Sequence, residues 1–309
     1  MMNFTEQEAI WFGFMNKILI INIDSTIPNL ALKKIEKYHL DKGDNVVWDM
    51  PLFRDCVDKI YVSCVFTKNR DICNEWEGRA DIGGSGYDLN KTLPDEIENI
   101  KPRINFGFTT RGCIRKCKFC IVPEKEGMIR TIGDIYDIWD GKSKELVVMD
   151  NNILALPTHF KKICEQLEKE KIKVDFNQGL DIRLLTDELA QSLSKVKHIS
   201  EIRFAWDNPE DEDKIVRGLE ILKRNKCKRA MFYVLVGFNT TPEQDFYRFE
   251  VLRKLKQRAY CMRYKTVKGN RLYTDMASWV NQQRFFNSMT FERYKQCRAD
   301  RSLVKKGNK

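Results

Sequence analysis

Short apolar runs alternate with amphipathic stretches over the first hundred residues of the chain. The apolar runs have the length of β-strands and lie at 17–24, 45–48, 59–66 and 80–83. Pro28 is placed to open a helix after the first run and Gly43 to end it, and a second helix is expected over about 69–76. Because strands that alternate with helices form parallel sheets, residues 17–95 are predicted to be a small Rossmann-like α/β domain.

A second alternating series begins near Arg103. Its apolar runs lie at 104–109, 145–149, 173–177, 201–207, 229–238 and 259–264. The stretches between them have helical apolar spacing, most clearly at 185–196 and 215–225. A full eight-unit barrel usually takes about 250 residues. The shorter series therefore predicts a partial (βα)6 TIM-type barrel over 103–265, followed by a helical, basic segment over 266–309.

Composition and charge narrow the class of protein. The 309 residues are 42% hydrophobic and 32% charged, which suits a folded chain with a large core. The net charge of +10 is compatible with an anionic partner such as nucleic acid, and equally with solubility alone. The sequence contains neither an apolar run long enough to span a membrane nor a signal peptide, so a cytoplasmic protein is expected. Residues 1–16 are interpreted as an N-terminal extension, either a short packed helix or a segment upstream of a start at Met15.

Three cysteines stand close together directly after the first strand of the second series. Cys113, Cys117 and Cys120 form a C-x3-C-x2-C pattern. In a reducing compartment such cysteines are more often thiols or metal ligands than disulfides. A cubane iron–sulfur cluster normally takes four thiolates, and the next cysteine along the chain is the distant Cys164, so one iron would stay open. Zinc is the alternative, although it would need a fourth Cys or His.

The cysteine loop resembles the defining motif of the radical S-adenosylmethionine (SAM) superfamily, including the aromatic Phe119 before the last cysteine. The resemblance implies that Cys113, Cys117 and Cys120 bind a [4Fe-4S] cluster whose open iron takes the amino and carboxylate groups of SAM. One-electron reduction would then yield a 5′-deoxyadenosyl radical that abstracts hydrogen from a substrate. The resemblance also implies a one-electron donor of the flavodoxin or ferredoxin type. Phe119 is expected near the adenine, or else packs within the loop.

Polar residues follow the later strands at positions where such barrels bind SAM. The resemblance assigns cofactor contacts to Asp150, Asn152, Asn177, Gln178, Arg183, Asp207 and Gly237. Arg183 is expected to pair with the SAM carboxylate, because a guanidinium matches a carboxylate, and Asp207 to bind the ribose or amino group. Each assignment has a structural alternative, such as an Asx turn for Asp150, an ion pair with Asp181 for Arg183 and a turn for Gly237. The superfamily often has a Gly-Gly-Glu pattern after the second strand of the barrel and Gly-x-Glu-Ser at the fourth. This chain has Met149–Asn152 and Arg203–Asp207 at those places and departs from both patterns.

A small α/β domain ahead of such a barrel resembles the layout of cobalamin-dependent radical SAM enzymes and of tRNA methylthiotransferases. The stretch after the first strand, 24–29, lacks the Asp-x-His-x-x-Gly motif of the former. Cobalamin is therefore not expected with a histidine ligand, and base-off binding is left open. Methylthiotransferases hold a second cluster through three cysteines of this domain, but Cys56, Cys64 and Cys73 have a different spacing. The domain is interpreted as a degenerate cobalamin-binding-like fold.

The sequence thus predicts a radical SAM enzyme of unassigned substrate, with RNA or another macromolecule favoured by the basic surplus. One alternative is a nucleic-acid-binding module with a structural metal. The basic and aromatic stretch 258–273 is typical of such a module. Cobalamin-dependent methyl transfer and a catalytically inactive scaffold are the others.

Overall fold

The structure is a computed structural model that describes residues 15–50, 54–227 and 230–307, with side chains described up to 299. The chain divides into two compact units, unit 1 at 1–106 and unit 2 at 107–309. The predicted N-terminal extension lies outside the described residues up to position 14. All ten cysteines are free. No helix within the described ranges is long and apolar enough to cross a membrane.

Unit 1 contains a four-stranded parallel sheet. Its strands are β1 (Lys17–Asn22), β2 (Asn45–Trp48), β3 (Lys59–Ser63) and β4 (Asp81–Gly83), in the order β2-β1-β3-β4. The helical segments are Leu30–Asp41, a 3-10 segment at Thr67–Trp76 and a short helix at Asp95–Glu98. Ile18 and Ile20 pack with Leu32 on one face, whereas Leu19 and Ile21 pack with Trp76 on the other. Helical segments therefore cover both faces, and the chain changes face between β1 and β3.

Two predicted boundaries in unit 1 are wrong for identifiable reasons. The first helix begins at Leu30 rather than at Pro28, because the Asn29 side chain caps it by accepting from the Leu32 N–H at 3.3 Å. Strand β3 ends at Ser63 rather than at Phe66. After Ser63 the chain turns, and the backbone N–H groups of Val65 and Phe66 donate to the carboxylate of Asp24, which follows β1.

The second series of strands begins at Phe106, the last residue of unit 1, and continues through unit 2. They are β5 (Phe106–Gly107), β6 (Thr110–Arg111), β7 (Arg130–Thr131), β8 (Glu145–Val148), β9 (Lys173–Phe176), β10 (Lys197–His198), β11 (Ile202–Ala205), β12 (Ala230–Val236) and β13 (Arg258–Arg263). One sheet has the order β10-β9-β8-β5 and another β11-β12-β13, and an isolated parallel bridge between Leu180 and Phe204 connects them. The six predicted barrel strands thus follow one another as β5-β8-β9-β11-β12-β13. The α/β class with parallel sheets is confirmed, and closure into a partial barrel stays a prediction.

Helices follow the strands of unit 2. They span Val122–Lys125, Ile135–Ile138, Pro157–Lys169, Asp187–Lys195, Glu212–Arg224, Pro242–Lys254, Arg271–Val280, Gln283–Ser288 and Phe291–Gly307. Apart from Val122–Lys125, their apolar sides form one buried core with alternate strand residues such as Val174, Phe204 and Phe232. The last three of these helices lie in the segment after residue 265.

Candidate metal centre

The three cysteines of the C-x3-C-x2-C pattern lie in a loop that β6 and β7 close at its base. These strands pair antiparallel, with Thr110 opposite Thr131. Gly112 enters the loop with a φ of +83°, and a Cβ there would lie 2.4 Å from the Met128 carbonyl oxygen. Only glycine fits this position. The Cys113 N–H then donates to the Gly127 carbonyl at 3.1 Å, which fixes the first cysteine against the returning strand.

The three thiols are half-buried neighbours. Burial raises the pKa of Cys117 and that of Cys120, and the charges of the neighbouring cysteines and of Asp207 add to the effect. In the described part of the chain, no group of three His, Cys, Asp or Glu side chains is spaced to hold a single metal ion. A cubane cluster instead binds each cysteine through a different iron, and it deprotonates the thiols on binding. Three neighbouring thiols on one loop can bind three irons of such a cluster and would leave the fourth iron open.

Glu126 ties the cysteine loop to the segment after β8. Its carboxylate accepts from the Gly112 N–H at 2.9 Å and from the Asn151 amide at 2.8 Å, and it pairs with Arg111 at 3.2 Å. The sequence did not indicate a role for Glu126, because an acidic residue in a loop rich in charged residues is usually exposed to solvent.

Asp150, which is predicted to contact SAM, accepts hydrogen bonds from Thr109 and Thr110, the residues that lead into the cysteine loop. Its carboxylate accepts from the backbone N–H groups of Thr109 at 2.7 Å and Thr110 at 2.8 Å, and from the Thr109 hydroxyl. Burial raises the pKa of Asp150 to about 6, and these hydrogen bonds oppose the rise. Its visible role is to position Thr109 and Thr110, and the SAM contact stays a prediction.

Asn152 presents an unused acceptor beside the first cysteine. The side chain is 3% exposed, and its amide nitrogen donates to the Cys113 sulfur at 3.6 Å. The amide oxygen is buried without a hydrogen-bond partner. A buried polar atom left in this way costs about 1–3 kcal/mol, so a ligand that brings a donor here is favoured. The predicted cofactor SAM carries an ammonium group that is such a donor, and the residues present therefore fit the cofactor.

Arg183 is held by carboxylates of its own chain. It pairs with Asp181 at 2.6 Å and Asp211 at 2.8 Å, and Arg115 of the cysteine loop shares Asp181 at 2.9 Å. Although burial opposes the charge, the two carboxylates hold the pKa of Arg183 above its usual value. The predicted structural alternative, an Asp181–Arg183 pair, is present. Three of the five N–H donors are used in these bonds, so a SAM contact stays a prediction.

The remaining predicted polar contacts differ in burial. Asp207 accepts from the Leu235 N–H at 3.1 Å, and burial raises the pKa of Asp207. Asn177 is half-buried at the end of β9, and its N–H donates to the Val148 carbonyl at 3.0 Å. Gln178 beside it is exposed. Asp207 is thus a half-buried carboxylate within electrostatic reach of Cys117 and Cys120.

A buried arginine beneath the site escaped sequence reasoning. Arg248 is fully buried on the helix Pro242–Lys254 and donates to the carbonyls of Trp206 at 2.7 Å, Asp207 at 3.0 Å and Leu235 at 2.8 Å. It also forms an ion pair with the equally buried Asp245. The pair therefore fixes the carboxyl ends of β11 and β12 relative to each other.

Gly237 and Phe119 occupy positions with clear packing roles. Gly237 has a φ of +71°, its N–H donates to Asp245 at 3.1 Å, and a Cβ would lie 2.3 Å from a Val267 methyl group. The ring of Phe119 packs edge-to-face on Phe238 at 5.4 Å, and Phe238 packs on Tyr264 at 4.8 Å. These rings link the cysteine loop to the ends of β12 and β13, and adenine contacts stay a prediction.

Comparison with known proteins identifies distant relatives. The chain is 27% identical over 143 residues to a tRNA-2-methylthio-N(6)-dimethylallyladenosine synthase of Flavobacterium johnsoniae, a match that covers 42% of this chain and 27% of that protein. Synthases of the same name from Sulfurihydrogenibium sp. and Hydrogenobaculum sp. are 29% identical over 135 residues and 22% identical over 191 residues. Those matches cover 41% and 52% of this chain, and 26% and 42% of the relatives. No protein-family model matches the chain.

The matches span about a quarter to two fifths of the relatives' own length. The relatives are radical SAM enzymes, and the predicted relation to that superfamily is supported to this extent. The similarity assigns no substrate. The chain is homologous to enzymes of the radical SAM type.

Proposed function

We propose that this chain cleaves SAM reductively at a [4Fe-4S] cluster and uses the resulting 5′-deoxyadenosyl radical on a macromolecular substrate. One observation carries the proposal: three half-buried thiols share a loop, and a buried amide oxygen without a partner stands beside the first of them. The homology to radical SAM enzymes supports the same chemistry.

Each residue of the site has a defined task in this proposal. Cys113, Cys117 and Cys120 hold three irons of the cluster, which supplies the electron that splits the sulfonium of SAM. The Asn152 amide oxygen accepts from the SAM ammonium group, and its nitrogen donates to the Cys113 sulfur. Asp207 accepts from a ribose hydroxyl or the same ammonium group.

The remaining sequence predictions complete the proposal. The consecutive order of the six strands supports their curvature into a partial (βα)6 barrel. Phe119, Asp150, Asn177, Gln178, Arg183 and Gly237 are proposed as further parts of the SAM pocket. A flavodoxin- or ferredoxin-type protein supplies the electron, and a cytoplasmic location keeps the thiols reduced.

RNA is the favoured substrate within this proposal. The named relatives are tRNA-modifying synthases, and the net charge of +10 suits a polyanion. Cobalamin with a histidine ligand is no part of the proposal, because Asp24 follows β1 where the family motif begins and no histidine comes after it within 24–29.

The test is anaerobic reconstitution with iron and sulfide, followed by SAM and dithionite and by chromatography of the products. Formation of 5′-deoxyadenosine and methionine is expected from the wild type and not from a variant with Cys113, Cys117 and Cys120 replaced by Ala. A protein that binds zinc tightly, takes up no iron and leaves SAM intact would instead support the nucleic-acid-binding module with a structural metal.

A further inference from the structure

Two large side chains on strand β13 are exposed although the strand belongs to a parallel sheet. Tyr260 is 46% exposed and Met262 is 43% exposed. They alternate with Ala259 and Cys261, which face the buried core. Strands of parallel sheets are normally covered on both faces. The face of β13 that points away from the core is therefore left open.

The backbone of β13 is protected against pairing with a further strand. It is the last strand in the order β11-β12-β13. The Cys261 N–H donates to the Asn281 side chain at 2.7 Å, and the Asn281 amide donates back to the Cys261 carbonyl at 3.4 Å. Edge strands are commonly blocked in this way. What β13 offers to a partner is thus its side chains.

The open face borders the candidate metal centre. Tyr260 packs edge-to-face on Tyr233 of the neighbouring strand at 5.9 Å. Met262 lies opposite Leu235, whose N–H donates to Asp207. Tyr264 continues the same alternation, and Phe238 connects its ring to Phe119 of the cysteine loop. A ligand on this face would therefore reach towards the cysteines.

The segment around these side chains is purely cationic. Between 258 and 274 the chain has five Lys and Arg residues and no Asp or Glu. Arg258 is paired with Glu201, and Arg271 with Asp275. Lys265 and Lys268 follow the strand directly with exposed side chains. Flat aromatic faces beside exposed lysines are the combination by which proteins bind single-stranded nucleic acid.

We propose that Tyr260, Met262, Tyr264, Lys265 and Lys268, here called the β13 surface, bind a single-stranded segment of RNA. Bases stack on the tyrosine rings and against the Met262 thioether, and the two lysines contact phosphates. This inference rests on the proposed function for the reaction and assigns its substrate to a particular surface. An acidic protein would also complement the charge of the two lysines. The row of aromatic rings from Tyr264 through Phe238 to Phe119 favours a strand of bases instead.

The test is binding of a fluorescein-labelled, mixed-sequence single-stranded RNA of 12 nucleotides to the reconstituted full chain, read by anisotropy at several salt concentrations. Stacking is worth about 1–3 kcal/mol per base, so Tyr260→Ala with Met262→Ala should weaken binding at least ten-fold. Tyr260→Phe should retain most of the affinity. Lys265→Ala with Lys268→Ala should lower the slope of log affinity against log salt by about 0.7 per lysine.

Matched variants separate this surface from general charge and general exposure. Tyr247 is 53% exposed on the helix Pro242–Lys254, and Tyr247→Ala should leave RNA affinity unchanged. Lys195→Ala with Lys197→Ala removes the same charge from two other exposed positions and should also have no effect. Equal losses in these controls, or full affinity in the Tyr260 and Met262 double variant, would overturn the inference. Circular dichroism and iron content verify that each variant is folded.

The outcomes also separate this inference from the proposed function. A wild-type protein that forms 5′-deoxyadenosine but does not bind the RNA refutes the β13 surface alone. A protein that binds RNA through this surface but never cleaves SAM refutes the proposed reaction alone. Binding of an acidic flavodoxin that depends on Tyr260 and Met262, without binding of RNA, would reassign the surface to the electron donor.

Discussion

The two units differ in how polar side chains at the ends of their parallel strands are partnered. In unit 1, Asp24 accepts from the N–H groups of Val65 at 2.8 Å and Phe66 at 2.9 Å and from Asn69 at 3.0 Å. In unit 2, the buried amide oxygen of Asn152 has no hydrogen-bond partner. The carboxylate that follows β1 is thus engaged by its own chain, whereas Asn152 in unit 2 keeps one buried acceptor without a partner.

The cysteines of the two units differ in the same way. Cys64 and Cys73 are fully buried, and the Cys64 sulfur lies 3.4 Å from the Phe66 carbonyl oxygen and 3.6 Å from Asp24. Burial, with the nearby Asp24 charge, raises the pKa of Cys64 to about 12. In unit 2, Cys113, Cys117 and Cys120 are half-buried on one loop. Cysteine number alone therefore does not indicate a cluster; accessibility and a shared loop do.

The largest expected effect compares the two sets of cysteines directly. Reconstituted wild type should contain about four irons and four sulfides per chain. Replacement of Cys113, Cys117 and Cys120 by Ala should abolish both, whereas Cys64→Ala with Cys73→Ala should retain them. Iron and sulfide analysis and the visible absorbance measure the result. Loss of iron from the unit 1 double variant, or its retention in the triple variant, would break the comparison.

A large loss of stability is expected when the buried ion pair between Arg248 and Asp245 is broken. Arg248→Met would leave Asp245 as a buried charge without a counterion, which should lower the free energy of unfolding by about 3–5 kcal/mol. The control is Arg224→Met, which removes an exposed ion pair with Asp187 and should cost at most about 1 kcal/mol. Urea denaturation followed by circular dichroism measures both. Equal effects would show that Arg248 does not hold the strand ends.

Loss of the proposed SAM-binding acceptors Asp207 and Asn152 should weaken SAM binding and spare the cluster. Asp207→Ala and Asn152→Ala should each cost about 1.5–3 kcal/mol, or roughly ten- to a hundred-fold in affinity. Equilibrium dialysis against labelled SAM measures this on the reconstituted protein. Asp213→Ala, an exposed carboxylate on the helix Glu212–Arg224, is the control. Wild-type affinity in both site variants would mean that the pocket lies elsewhere.

The smallest effect concerns the carboxylate that follows β1 in unit 1. Asp24→Ala leaves two backbone N–H groups without their acceptor and should cost about 1–3 kcal/mol at neutral pH. Although burial by itself would raise the pKa of Asp24, these hydrogen bonds hold it below its usual value.

This stabilisation depends on pH in a defined direction. It is fully present above the ordinary pKa of about 3.9 and is lost as the pH falls through the lower folded value, so the gap between wild type and variant should shrink there. Urea unfolding across pH 2–7 measures it, with the exposed Asp55→Ala as control. A gap that stays constant over that range would contradict the account.

Local patterns predicted the strands well wherever a strand ends for local reasons. Asn45–Trp48 was predicted at its observed bounds, and the six strands of the second series were found within a few residues. Strand β3 was predicted too long, because the carboxylate of Asp24, 41 residues before Val65, decides where it ends. A contact of that kind has no signal in a local window of sequence.

The site was predictable in its cysteines and not in its supports. Cys113, Cys117 and Cys120 form a pattern of residue types at fixed spacing. Arg248 and Glu126 act through backbone atoms of distant segments, and in the sequence they look like ordinary charged residues of a helix and a loop. Asp150 was assigned to SAM because it follows a strand, yet its hydrogen bonds go to Thr109 and Thr110.

The central claim is that the cysteine loop of unit 2 holds a cluster with one iron open to SAM. The most direct measurement is electron paramagnetic resonance of the dithionite-reduced, reconstituted protein before and after addition of SAM. The account predicts an S = 1/2 signal whose g values shift when SAM binds, and a smaller shift in Asn152→Ala at limiting SAM. A signal from a protein with about four irons that SAM leaves unchanged at saturating concentration would contradict it.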